Sequence, residues 1–569
     1  MGRKRKDRGP KRALPDSAPT TAWPRVGAWI FLSLIALFVI VVRIRLAPMP
    51  LERDEGEYAY AGQLILQGVP PFSQVYNMKM PGIYFAYALI LAVFGQTQAG
   101  IHLALLFLNL ATAVFIFLLA QRVVNTFVAS IAAAVWGVMS TSAVVMGLSA
   151  HAEHFVVCFA FAGLWVMLRA WDKPQRVALL LAGVLLGIAF TMKQQGAVFI
   201  ALAAITTVAR YGHALRAQHR AALLDCAALI GGAVLPFMVI CGLLAASGVF
   251  DRFWFWTFDY AGKYGAVVSF RVGAKNLYEQ LLKSFAVFWP LWLLVILGIV
   301  HVIRDASYVN KRTFLFVLAI LSFLGVCPGL YFREHYFILL LPAVAYFAGA
   351  GTDGLRQYLI QRRRSGEVVA LVITATGVLL SIWTQREFLF RASPVEACRR
   401  LYQVNPFVEA PEIAAHIRER SDRMDTVAVL GSEPEIYFYA QRRSASGYIY
   451  MYPLMEYQPY ADTMQKEMIA EIEAAEPKFL VIVNVWPSWL QKSKSKLLVF
   501  DWINQYSNAH YRQVGLIEIG EDGTTRYRWD KEAQGVSSRV PFNVVVLERR
   551  DTPARTDTDE HGRIRTSPQ

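Results

Sequence analysis

The chain has 569 residues, 55% of them hydrophobic and 17% charged, and Lys plus Arg outnumber Asp plus Glu by 57 to 42. That balance excludes an ordinary soluble enzyme, because the apolar residues come in blocks long enough to cross a bilayer. Much of the +15 charge falls in short loops between those blocks, so membrane topology explains it better than nucleic-acid binding does.

In chain order, MGRKRKDRGPKR opens a basic, polar tail over 1–26 that is predicted to be disordered and cytoplasmic. The first apolar run, near 27–42, is followed by no small-residue cleavage site and reads as a retained span. Further spans are predicted near 99–120, 126–148, 153–170, 177–192, 196–210, 222–247, 285–304, 313–331, 336–352 and 367–385, making about eleven. The run Pro81–Phe94 is short and reads as an interfacial helix. The expected fold is therefore a polytopic α-helical membrane protein, with a transmembrane module over 27–385 and a long first outer loop over 43–98.

With the N-terminus inside, the inner loops carry Arg122, Lys173, Arg216, Arg220, Lys311, Arg312 and the run Arg362, Arg363, Arg364. This is the bias that sets orientation in the cytoplasmic membrane. An odd number of spans then places 386–549 outside. There TVAVL (426–430) and KFLVIVNV (478–485) alternate with helical patterns such as EIAAHIRER, the signature of a small extracytoplasmic α/β domain. Gly431–Ser432 after the first of these strands is too little for a nucleotide loop. Residues 550–569 read as a solvated, disordered tail. Five cysteines, at 158, 226, 241, 327 and 398, show no CxxC spacing and suggest neither a disulfide framework nor a zinc site.

The unusual polar residues gather on the outer side. Charged groups at membrane depth are costly and are kept mainly for function. In RDEGEYAYAGQLILQG, read as a helix lying on the membrane surface, Asp54, Glu57, Tyr58 and Ala61 share a face, and Glu55 adjoins them. The alternative is a solvated juxtamembrane helix with acids at its N-terminus, where the dipole favours them. Glu153 is a second outward carboxylate, between His151 and His154; two His at this spacing suit zinc, but no third ligand is evident. Lys79, Lys193, Arg333 and His335 add cations, and Tyr336 follows them. Singly, each cation reads equally well as a lipid-headgroup anchor. Together, cations beside carboxylates suit a lipid-borne phosphate and acid–base chemistry next to it. The aromatic stretch DRFWFWTFDYAGKYG (251–265) reads most simply as an interfacial belt, with a lipid lid or sugar-stacking wall as the alternative.

RDEGEYAY after the first span, KMPGIYF behind it, the outward carboxylate before the fourth span and REHYF leading into LLLPAVAYFAG resemble the GT-C glycosyltransferases that use polyprenyl-phosphate sugars. The nearest branch is similar to bacterial relatives of the protein O-mannosyltransferases and of the lipid A aminoarabinose transferase, over roughly 25–385. The resemblance implies a GT-C-like fold and an inverting transfer of a hexose or pentose from a lipid-phosphate donor to a lipid, glycan or protein acceptor. It maps the first-loop acid onto Asp54, with Glu55 beside it and Glu153 as a further catalytic acid. Lys79 takes the place of the basic residue of a Lys-Pro-Pro-like turn, although this chain has Lys-Met-Pro. Arg333 and His335, with Lys79 and Lys193, are the candidate donor-phosphate ligands, and Glu57, Tyr58 and Tyr336 the candidate pocket residues. No metal ligand is assigned; the paired acids leave room for a divalent cation, Mg or Mn. The partners implied are the donor, membrane lipid and an unknown acceptor, with no nucleic acid. A transporter or flippase of a lipid-linked sugar is the main alternative, although it usually carries internal repeats and midplane charges that are not seen here. An inactive assembly or sensor protein is the third reading.

Overall fold

A computed structural model describes residues 23–172, 175–265, 268–363 and 365–550. The predicted tails, up to residue 22 and from 551 onward, lie outside the described residues, as do the loop cations Lys173 and Arg364.

The helical part begins with α1 (Trp23–Leu46), α2 (Arg53–Leu66), α3 (Gly82–Phe94), α4 (Gln98–Val123) and α5 (Thr126–Met139). It continues through α6 (Ala152–Ala170), α7 (Arg176–Met192), α8 (Ala197–Ala209) and α9 (His219–Ala246). The short α10 (Phe250–Trp254) and α11 (Ala261–Tyr264) flank a π-helical turn, and α12 (Phe270–Arg304), α13 (Arg312–Val326), α14 (Leu341–Ile360) and α15 (Gly366–Trp383) complete the set. Each of the eleven predicted spans falls on one of these helices. Among the described residues, however, six helices are long and apolar enough to cross a membrane: α1, α4, α6, α9, α12 and α15. Helices α5, α7, α8 and α13 are apolar but shorter. By length and composition six of the eleven predicted spans meet the requirement for crossing, and α5, α7, α8 and α13 fall short of it in length.

The helices pack through small residues. A Cβ on Gly183 would lie 2.0 Å from the Leu229 carbonyl oxygen of α9, and one on Gly298 would lie 1.8 Å from that of Phe347 in α14. In lipid there is little hydrophobic drive between helices, so such close backbone approach supplies the packing. Exposed Leu, Val and Ile side chains along α9 and α12 form an outward apolar surface, as expected of a multi-pass membrane protein.

The C-terminal unit adds α16 (Pro394–Tyr402), α17 (Ala410–Glu419), α18 (Glu435–Ala440), α19 (Tyr452–Met455), α20 (Ala461–Ala475), α21 (Trp486–Trp489) and α22 (Leu498–His510). Its six strands are β1 (Thr426–Leu430), β2 (Arg443–Ser444), β3 (Phe479–Asn484), β4 (Tyr511–Ile519), β5 (Thr525–Trp529) and β6 (Phe542–Arg549), in the order β2-β1-β3-β6-β4-β5. The parallel β2-β1-β3 half contains the two runs legible in the sequence. The antiparallel β6-β4-β5 half does not follow from any pattern singled out there.

This unit sits on α2. Arg53 donates through Nε to the Ser432 carbonyl and through Nη2 to Glu433 at 2.8 Å. Leu51 N donates to the Tyr439 hydroxyl at 2.9 Å, and Ser444 N to that of Tyr60 at 2.7 Å. A Cβ on Gly56 would lie 2.6 Å from the Glu435 backbone nitrogen, so only glycine lets α18 approach this closely. Helix α2 is accordingly buried from Glu55 through Leu64, and does not lie on a membrane surface as its sequence suggested. Tyr437, Tyr439, Tyr450 and Tyr452 of the C-terminal unit, with backbone polar groups of the same unit, lie against α2 and its start instead.

Candidate active site

Helix α2 starts with a capping box: the Glu52 side chain accepts from Glu55 N, and Glu55 reaches back to Glu52 N. This cap fixes the rotation of the helix and sends its acids to different surroundings. Asp54 points to a pocket. Its Oδ1 accepts from Lys79 Nζ and from the Tyr450 hydroxyl, each at 2.9 Å. Its Oδ2 lies 4.0 Å from His335 Nε2. Burial is the largest single effect and pushes the Asp54 carboxyl up, but the charge and hydrogen bond of Lys79, together with His335 and His151, outweigh it and hold the group well below the usual carboxylate range. Lys79 shifts the opposite way: burial lowers it, and Asp54 with Glu57 more than restores it.

The pocket is lined by Asp54, Asn77, Lys79, Lys193, Arg333 and His335, with Met78, Tyr260, Tyr336, Tyr450, Tyr452 and Pro453 between them. Segments up to 400 residues apart in sequence thus meet at one point. Lys193, at the C-terminal end of α7, forms an ion pair with Glu153 in the first turn of α6 and lies 4.3 Å from the Tyr336 ring centroid. Glu153 is buried behind Lys193, 3.9 Å from His335, and does not line the pocket.

The other predicted acids face elsewhere. Glu55 is wholly buried, and accepts from Ala150 N at 2.6 Å while its Oε1 lies 2.9 Å from His102 Nε2. Glu57 accepts from Asn77 Nδ2 at 2.8 Å and from the Tyr84 hydroxyl at 2.5 Å; burial pushes it up to about 7. Tyr58 packs beneath Lys79, its hydroxyl accepting from Nζ at 3.2 Å, and is buried. Neither Glu55, Glu57 nor Tyr58 lines the pocket.

The His pair in HAEH does not act as a pair. His151 stacks on His335 with ring centroids 4.1 Å apart, and those two with Asp54 can bring one ligand atom each within 4.8 Å of one another. Among the described residues both His151 ring nitrogens and His335 Nδ1 are buried without a hydrogen-bond partner. Burial lowers both imidazoles and keeps them neutral, the form that ligates a metal. Asp54 from α2 and His335 from the segment before α14 thus stand beside His151, a donor set that could hold a divalent cation and that leaves out His154.

A second cavity of about 440 Å³ shares Met78, Lys79 and Tyr336 with the pocket and is otherwise lined mainly by apolar or small groups, including Val198, Phe258, Leu324, Pro328 and Gly329. The aromatic stretch forms part of this wall rather than a simple belt. Phe253 and Trp256 are buried, and of its tryptophans only Trp254 is exposed. Sequence reading missed Tyr450, Tyr452 and Asn77 as lining residues; the cluster YIYMYP gave no more than an excess of aromatics.

Residues 78–240 match the family model described as dolichyl-phosphate-mannose-protein mannosyltransferase. No curated protein matches the chain by sequence. Among solved structures, ArnT from Cupriavidus metallidurans bound to undecaprenyl phosphate is similar at a TM-score of 0.53 and 15% identity, covering 92% of this chain and 98% of ArnT. The oligosaccharyltransferase AglB from Archaeoglobus fulgidus, in complex with an inhibitory peptide and a dolichol-phosphate, is similar at 0.51 and 12%, covering 90% and 75%. An oligosaccharyltransferase from Archaeoglobus fulgidus in complex with zinc and sulfate gives 0.51 and 13%, over 88% and 73%. The fold is the GT-C fold.

Proposed function

We propose that this chain is a membrane glycosyltransferase that moves a sugar, with inversion, from a polyprenyl-phosphate carrier to an acceptor at the outer face of the cytoplasmic membrane. One observation carries the reading. A cationic pocket and an apolar cavity share Lys79 and Tyr336 as a common wall, so an amphiphile with a phosphate at its junction fits both at once. ArnT and AglB were each solved with a polyprenyl phosphate, which agrees with that class of ligand.

In the reaction the acceptor oxygen attacks the anomeric carbon as the bond from that carbon to the phosphate oxygen breaks, and the phosphate leaves with the electron pair. Lys79, Lys193 and Arg333 line the pocket where this charge develops and are placed to stabilise it. Arg333 offers a planar fork suited to phosphate. Asp54 is ionised and accepts the acceptor proton on Oδ2, since Oδ1 is already held twice. Its low basicity means that the proton is taken as the new bond forms rather than beforehand. Glu153 keeps Lys193 in place, and Glu55 holds the start of α2 against the Ala150 amide.

Asp54, His151 and His335 are the residues that would hold a divalent cation, which when bound supplies positive charge for the departing phosphate. The experiment is to add a panel of polyprenyl-phosphate sugars to purified protein and follow release of carrier phosphate with and without EDTA. Release is expected. No release from any donor sinks the reading. Release that EDTA abolishes and Mn or Mg restores adds a required cation, with Asp54, His151 and His335 as its candidate ligands, whereas EDTA-resistant release leaves Oδ2 as the proton acceptor without one.

The orientation proposed places the C-terminal unit outside. Met424, 86% exposed, suits a cysteine for labelling with an impermeant maleimide in intact cells. Labelling only after lysis would reverse the orientation.

A further inference from the structure

The C-terminal unit does more than cover α2. The loop between β2 and α19 is fixed on two sides. Tyr76 N, in the first long loop, donates to the Gly447 carbonyl at 2.8 Å, and Met451 N donates to Ser432 Oγ at 2.9 Å. A Cβ on Gly447 would fall 2.3 Å from the Tyr76 ring, so this contact tolerates no side chain. The loop and the start of α19 thereby present Tyr450 and Tyr452 to the pocket. On the other flank of Asp54, Arg53 is gripped by Ser432 and Glu433 and lies 5.4 Å from the Tyr452 ring centroid. The residue before Asp54 and the carboxylate itself are both held from a part of the chain almost 400 residues away.

We infer that Tyr450 is a positioning residue for the transfer reaction, and that the C-terminal unit is thereby built into the active site: with Lys79, its hydroxyl occupies Asp54 Oδ1 and turns Oδ2 toward His335 and the pocket. The inference rests on the transferase reading for its kinetic consequence, but not for its geometry. A carboxylate rotates readily about its last torsion, whose wells are broad. Lys79 alone, a single donor on a flexible stem, does not hold Oδ1 in one place. A second donor, from a phenol that is itself buried, pins Oδ1 and with it the plane of the group. Reacting groups must be held close to their productive geometry, and displacement by about 1 Å can cost about 10²-fold in rate.

The test uses full-length Tyr450→Phe, with Tyr439→Phe as the control that removes a docking hydrogen bond between the same unit and Leu51, away from Asp54. Crystal structures of the three proteins read the carboxylate directly. In the parent and in Tyr439→Phe, Oδ2 is expected to face His335; in Tyr450→Phe the carboxylate is expected to rotate away. In donor titrations Tyr450→Phe is expected to lower kcat by about 10-fold or more, with the donor KM within about twofold. Tyr439→Phe is expected to lower the melting temperature and leave kcat unchanged. An unrotated Asp54 in Tyr450→Phe, or a kcat equal to the parent's, overturns the inference. A parent that transfers no sugar from any donor defeats the transferase reading instead, and the crystallographic comparison still decides the role of Tyr450.

Discussion

Asp54 and Glu55 are adjacent in sequence, share the first turn of one helix and are both carboxylates. They face opposite environments. Glu55 is closed off, with Ala150 N and His102 against it and no exposed surface. Asp54 keeps about a fifth of its side chain open, and its Oδ2 lies 4.0 Å from His335 Nε2, beyond hydrogen-bond distance. The difference teaches that charge at a membrane lip is used in two ways. A fully satisfied buried carboxylate locks a helix start to the backbone of another segment. A half-satisfied one, beside cations and a cavity, is available for chemistry.

The sharpest way to break this comparison is to neutralise each acid in turn. Asp54→Asn is expected to fold and express near normally and to lose about 10²-fold or more in turnover, the scale of lost acid–base catalysis. Carrier-phosphate release on purified protein checks it, and near-parental turnover would reject the assignment. Glu55→Ala is expected to do the reverse. It leaves the Ala150 amide and His102 buried without their acceptor, a loss of about 3–5 kcal/mol for a broken buried pair. Expression and melting temperature in detergent should fall, while the folded fraction keeps a kcat within a few-fold of the parent. A stable Glu55→Ala with abolished turnover would place Glu55 in the chemistry instead.

A smaller effect is expected at the cations. Arg333→Ala should raise the donor KM by about 10-fold, as a charge-assisted hydrogen bond contributes about 1.5–3 kcal/mol, and Arg333→Lys should recover only part of it. Unchanged donor titrations would reduce Arg333 to a headgroup anchor.

The smallest effect concerns Glu57, which belongs with Glu55 in the closed region although it shares the face of Asp54. Its folded-state value of about 7 lies above the ordinary glutamate value of 4.5, so the folded protein holds the proton more tightly than the unfolded chain. Stability from this group is full below about pH 4.5 and is lost as pH rises through about 7. The melting temperature of the parent should therefore fall more between pH 5 and pH 8 than that of Glu57→Gln. Parallel profiles would mean that Asn77 and Tyr84 fully compensate its burial.

Much of this protein was legible in its sequence. Hydropathy located every helix of the bundle that was predicted as a span, because a lipid-facing helix must be apolar along its length. The polar residues that meet at the pocket, Asp54, Lys79, Lys193, Arg333 and His335, could be singled out because charge at membrane depth is costly and therefore conspicuous. The sequence could not assign them partners. Period and spacing place Asp54, Glu55 and Glu57 within one turn, but whether a carboxylate faces a cavity or a backbone amide depends on segments 50 to 400 residues away. Tyr450 shows the limit most clearly. A tyrosine in an aromatic-rich loop carries no charge to betray it, and only the seating of the C-terminal unit on Gly56 and Arg53 brings its hydroxyl to Asp54. Local composition decides which residues form helices and which are costly to bury; the contacts that offset that cost are long-range, and only the tertiary structure decides them.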